Sequence, residues 1–221
     1  MIPGCRKDGI GEMNGLGAQV RYAFYTAVHP FKGFWDIKHE RRGSLKIANS
    51  LLAAFVLVSV AGGLYSGFIF NPYGGVEYNV LTNVAGLLLV YLLWCVANWC
   101  LTSLFDGEGR FRDICIYTSY ALLPITLAKL VLIPLSWSLA VEEAAFYNMI
   151  YAIGLLWSAF LLAAGTITTH QYSLSKTLVI VVATLLGMCI IAYIMLLFFN
   201  LLQQILGFFL VFGEELGQRL G

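Results

Sequence analysis

Three kinds of residue in this chain have the chemistry for catalysis or coordination: paired acids, histidines, and one cation inside an apolar run. Glu214 and Glu215 open EELGQR, a Glu-Glu-x-x-x-Arg pattern. An intramembrane peptidase uses such carboxylates to activate water, but it needs histidines further along, and only Leu220 and Gly221 follow. The other acidic pair, Glu142 and Glu143, has Tyr147 where that pattern needs arginine. His29, His39 and His170, with Asp36 and Glu40 nearby, fit no standard ligand spacing. They read as interfacial histidines bonded to water or lipid. No Gly-Lys-Ser phosphate loop, dinucleotide fingerprint or serine elbow occurs. The expectation is a chain that is no enzyme and has no catalytic residue, cofactor or metal.

The remaining reactive types fall in apolar surroundings. Of Cys5, Cys95, Cys100, Cys115 and Cys189, four lie in long apolar runs, where a thiol behaves as a small hydrophobe. Lys129 is the one charged residue expected inside the membrane, near enough to the outer end of its span to snorkel. Intramembrane charges mark function by default, so Lys129 and two nearby prolines support an alternative reading as a transporter or an accessory subunit of one.

The elements that must position these residues follow from composition. The 221 residues are 60% hydrophobic and 11% charged, against roughly a quarter charged in a soluble domain. A net charge of +1 gives no field for nucleic acid. Five apolar runs, at about 46–70, 79–105, 114–137, 145–168 and 177–199, are each long enough for a hydrocarbon core of ~30 Å. The connections are short, so the helices are antiparallel neighbours. The fold class is all-α: a polytopic bundle of five transmembrane helices (46–199), preceded by an interfacial segment (1–45) and followed by an amphipathic helix (200–221). Residues 1–28 lack the apolar core of a signal peptide.

Charge sets the expected orientation. Lys32, Lys38, Arg41, Arg42 and Lys46 precede span one, Arg110 and Arg112 join spans two and three, and Lys176 precedes span five. Glu77, Glu142 and Glu143 occupy the opposite loops. Basic residues collect on the inside, which places the N-terminus in the cytoplasm and the C-terminus outside. The apolar stretch 178–212 is about 52 Å long as one helix, too long for one crossing. Asn200, Gln203, Gln204 and Gly207, then Val211, Glu214, Glu215 and Gln218, draw a weakly polar stripe. The expectation for 200–219 is therefore a surface helix, with a sixth span as the alternative.

Within the spans, Pro124 and Pro134 are expected to kink or break the third. Asn49, Asn83, Asn98, Asn148 and Thr166 are expected as interhelical hydrogen-bond partners, and Gly62, Gly63, Gly86, Gly154 and Gly187 as points of close approach.

Two stretches expected on the cytoplasmic face remain. HPFKGFWDIKHERRGSLKIA begins at His29, and LFDGEGRFRDICIYTSYALLPI covers 104–125. Val20, Phe24 and Ala27 form a weak helical stripe upstream, and Pro30 ends that helix. Phe31, Phe34 and Trp35 are expected in the headgroup region, with lysines and arginines against anionic lipid at about 1 kcal/mol each. Together the two stretches and the five-span layout resemble the Yip domain family of Ypt/Rab-interacting membrane proteins, its bacterial branch in particular. The resemblance covers roughly 29–200 and implies a scaffold or trafficking factor without established catalysis, in a bacterial plasma membrane. It departs from the eukaryotic pattern in lacking a long N-terminal domain, which counts against Rab binding. From the residues themselves, Phe31, Phe34, Trp35, Arg41, Arg42, Arg110, Phe111 and Arg112 would form one cytoplasmic platform for a protein partner, a second copy or lipid.

Overall fold

The computed structural model describes residues 16–40, 43–71 and 78–220. Eight α-helices follow in order: α1 (Leu16–Val28), α2 (Pro30–His39), α3 (Leu45–Tyr65), α4 (Val80–Leu104), α5 (Phe111–Ala121), α6 (Leu123–Leu135), α7 (Ala144–His170) and α8 (Leu174–Leu220). Among the described residues five stretches are long and apolar enough to cross a membrane: α3, α4, α5 with α6, α7 with the turn before it, and α8 as far as Phe212. The polytopic all-helical bundle is thus present. In a bilayer every backbone polar group must be satisfied within the segment, which is why continuous apolar runs become helices.

Local chemistry sets the boundaries. The Ser44 hydroxyl caps α3 by accepting from the Lys46 amide at 3.2 Å, and Asn79 caps α4 by accepting from the Thr82 amide at 3.1 Å. The third span breaks at Leu122 because Pro124 has no N–H and its ring crowds the carbonyl four residues back. The amide of Ile125 leaves the helical ladder and donates to the Ser158 hydroxyl of α7 at 3.0 Å. Pro134 remains inside α6, one residue before its end.

The N-terminal segment joins the packing of the bundle. α1 and α2 form a helical hairpin against α5, α6 and α7. The Trp157 indole, midway along α7, donates to the Ala27 carbonyl at 3.1 Å, and Phe31 meets Phe160 edge-on at 6.3 Å. Further along, Lys38 reaches the Thr169 carbonyl at 2.7 Å. Tyr22, Ala23, Ala27, Phe34 and Ile37 share one core with Ile114, Tyr117, Tyr120 and Leu161. Pro30 does end α1, and it also begins α2 at the position where its missing donor costs nothing.

Inside the bundle, the Tyr117 hydroxyl donates to Asn98 of α4 at 3.1 Å and accepts from Thr166 of α7 at 3.3 Å. Asn49 and Asn148 instead face outward. Gly154 is a close approach, since an added Cβ would lie 2.5 Å from Ala128, but Gly62 and Gly86 face open space. α8 continues without a break from Leu174 through Asn200, so the fifth span and the expected surface helix are one element.

Candidate functional site

One end of the bundle carries Lys38, Arg110, Arg112 and Lys176, and three chain segments meet there: the end of α2, the α4–α5 loop and the α7–α8 corner. The loop begins at Asp106, whose φ of 55° is left-handed, and continues through Gly107 and Gly109. A Cβ on Gly107 would lie 2.6 Å from His170 Nδ1 and from the Tyr172 hydroxyl; one on Gly109 would lie 2.5 Å from His170 Cε1. The glycines are required because the loop backbone lies directly on the His170 ring. The Gly109 amide donates to His170 Nδ1 at 3.3 Å, which places the ring proton on Nε2.

The corner is fixed from the other side as well. Gln171 turns the chain with a φ of 55°, and His170 stacks on Tyr172 at 5.4 Å. The Tyr172 hydroxyl donates to the Phe105 carbonyl at 3.0 Å and to that of Thr102 at 3.3 Å. Burial, and then the nearby Asp106, push this phenol up from its ordinary range, so it stays a neutral donor. Lys176 lies 4.3 Å from the Tyr172 ring centroid and donates to the Phe105 carbonyl at 2.9 Å. Lys38 then ties α2 to this assembly through Glu108, at 3.1 Å, and the Thr169 carbonyl.

The expected platform residues fare differently. Trp35 is 48% exposed, with its ring stacked on His39 at 3.7 Å. Arg110 and Arg112 are exposed, and Phe111 is half-exposed against Trp99. The Arg110 amide donates to the Asp113 carboxylate at 3.2 Å, which fixes the first turn of α5. Phe34 is no surface anchor: it is 1% exposed and sits edge-on to Tyr117 in the core. Phe31 is drawn back toward the middle of α7 by Phe160. Arg41 and Arg42 lie outside the described residues.

The residues that hold this end together are the ones the sequence reading assigned to lipid, to orientation or to nothing: Lys38, Glu108, His170, Tyr172 and Lys176. Two glycines spaced by one residue, facing a His-x-Tyr corner on the same side, were the available signal. Among the described residues no three His, Cys, Asp or Glu side chains group as metal ligands.

With the bundle, its broken third span and the glycine loop in view, comparison with known families gives a match to the Yip1 domain over residues 24–197. The chain belongs to the Yip1 domain family. The match takes in α2, the loop and the α7–α8 corner, and begins inside the N-terminal hairpin, in keeping with the core that the hairpin shares. No curated protein and no solved structure matches the chain. With five helices able to span a bilayer, this Yip1 domain protein is an integral membrane protein in contact with lipid.

Proposed function

We propose that this Yip1 domain protein is a non-catalytic membrane scaffold or adaptor whose basic end faces the cytoplasm of a bacterial cell and docks a partner protein. The contact surface is formed by Trp35, Arg110, Phe111 and Arg112, with Arg41 and Arg42 nearby in sequence. The supporting observation is the Lys38–Glu108 ion pair, which fastens α2 to the loop preceding α5 and so holds both aromatic-basic segments at one end. Aromatic and arginine side chains carry much of the energy of protein interfaces. Family membership points toward membrane proteins with protein partners and not toward enzymes.

The transport alternative rested on Lys129 and on Pro124 and Pro134 of the third span. The prolines are accounted for by the break at Leu122 and the end of α6. The Lys129 ammonium donates to the Ser59 hydroxyl at 3.0 Å and lies 5.0 Å from the Phe55 ring centroid. Neither contact forms a path for a solute, so the scaffold reading is kept.

Lipid and protein partners respond differently to one substitution. Arg110→Lys with Arg112→Lys keeps the charge that an anionic surface feels, but removes the planar fork that a protein site uses. Quantitative pull-downs from native membranes should therefore show a partner that is weakened in the double Lys variant and in Trp35→Ala. If wild type and both variants recover the same partners in equal amounts, the docking surface is wrong and plain lipid anchoring remains.

A further inference from the structure

A cleft of about 220 Å³ lies between α7 and α8. Its floor is Ala163, Ala164 and Ile167 of α7, and the two small side chains leave the space. Leu174, Leu178 and Val181 of α8 form one wall. Phe31 of α2, edge-on to Phe160 at 6.3 Å, lies at the deep end. Thr177 also lines the cleft, but its hydroxyl donates to the Ser173 carbonyl at 3.0 Å, which leaves its methyl to the cleft. The lining is therefore apolar throughout.

Its size and depth suit one hydrocarbon chain. From Ile167 to Phe160 the cleft runs ~10 Å, so its volume corresponds to a cross-section of about 20 Å². A chain packed ~4.5 Å from its neighbours needs about that area. The span Val141–His170 has 30 residues, about 45 Å, which is the thickness of a bilayer with its headgroups. The cleft begins about 5 Å inside the His170 end, where headgroups give way to tails.

Charge identifies the lipid. Lys38 is seven residues beyond Phe31, two turns along the same face of α2, and its contact with Thr169 puts it at the shallow end. Its ammonium has three donors and spends two, on Glu108 at 3.1 Å and on the Thr169 carbonyl at 2.7 Å. Lys32, next to Phe31, is exposed and bonds to no described residue. A lysine at that depth reaches up toward the headgroups.

We propose that this cleft holds one acyl chain of an anionic phospholipid, with its phosphate on the free donor of Lys38 and on Lys32. The apolar lining gives occupancy, and the two lysines select the negative headgroup. The site is independent of the docking surface, since Trp35, Arg110, Phe111 and Arg112 take no part in it.

Native mass spectrometry of the full chain in mild detergent tests this, with phosphatidylglycerol or phosphatidylcholine of identical tails added in steps. One phosphatidylglycerol should bind about tenfold more tightly than phosphatidylcholine, as two lysines beside one anionic headgroup would give. Ala163→Phe fills the cleft and should weaken phosphatidylglycerol at least about tenfold. Ala152→Phe, exposed on α7 and ~12 Å deeper than Phe160, should not. Glu108→Gln releases Lys38 from its ion pair and should tighten phosphatidylglycerol about threefold, with phosphatidylcholine unchanged. A purely structural ion pair predicts the opposite sign. That variant also leaves the cleft open, so it decides the matter even if Ala163→Phe does not fold. Equal affinity for the two lipids, equal loss in both phenylalanine variants, or no gain in Glu108→Gln would each overturn the site. So would a bound mass that is a second copy or another protein, displaced by Ala163→Phe.

Discussion

Lys129 shows how an isolated charge is tolerated in a span. Its four-carbon stem lets the ammonium reach Ser59 at 3.0 Å and the Phe55 ring at 5.0 Å, both on α3. Pairing with Glu142 or Glu143 is not found among the described residues, and Glu143 instead accepts from the Ala140 amide at 3.1 Å. The hydrogen bond and the cation–π contact contribute about 1 kcal/mol each, against a cost of a few kcal/mol for charge in a span. Lys129→Met should therefore leave the melting temperature in detergent unchanged or raise it, with pull-down partners retained. A loss beyond about 2 kcal/mol would mean that Lys129 neutralises an anion and belongs in the functional site. At this scale the sequence was partly legible. Lys129 stood out by type alone, but Phe31, Phe34 and Trp35 were three like side chains on a ten-residue helix. Only the hairpin's docking against Tyr117 decides that Phe34 faces inward.

Elements were more legible than residues, because a bilayer imposes one length on every span and hydropathy reveals it. The break in the third span was visible as Pro124, but its compensation was not. Ser158, thirty-three residues away on α7, accepts from the amide of Ile125 that the break displaces. Ser158→Ala would leave that buried donor unmade, at about 1–3 kcal/mol. A double-mutant cycle with Pro124→Ala isolates the effect, because a restored helical ladder lets the Ile125 amide bond within its own helix. The loss from Ser158→Ala in thermal unfolding should then shrink by at least about 1 kcal/mol in the Pro124→Ala background. Strict additivity would show that the two residues act independently. The N-terminal hairpin was the element least legible, since nothing in a weak amphipathic stripe distinguishes packing on lipid from packing on α7. The continuity of α8 was hidden for a similar reason: its polar stripe suggested a change of environment, but Asn and Gln do not stop a helix.

For the whole molecule, the segregation of charge between the two ends is the main sequence signal and sets how the bundle should sit in its membrane. Lys38, Arg110, Arg112 and Lys176 gather at one end, where the α2 ion pair and the α7–α8 corner close the bundle. Glu142 and Glu143 stand at the other, beside the turn before α7. Basic residues in short loops are retained on the cytoplasmic side, so the basic end should face inward. Two exposed serines report this without disturbing the packing: Ser138 lies in the turn after α6, and Ser175 in the first turn of α8. In a variant whose native cysteines do not label, Ser138→Cys should react with an impermeant maleimide in intact cells. Ser175→Cys should react only after the membrane is opened. The reverse pattern would turn the protein over and place Trp35 and Arg110 outside, which removes a cytoplasmic partner from consideration. Equal labelling at both sites before lysis would mean mixed insertion, and the charge asymmetry would no longer explain how this bundle sits in its membrane.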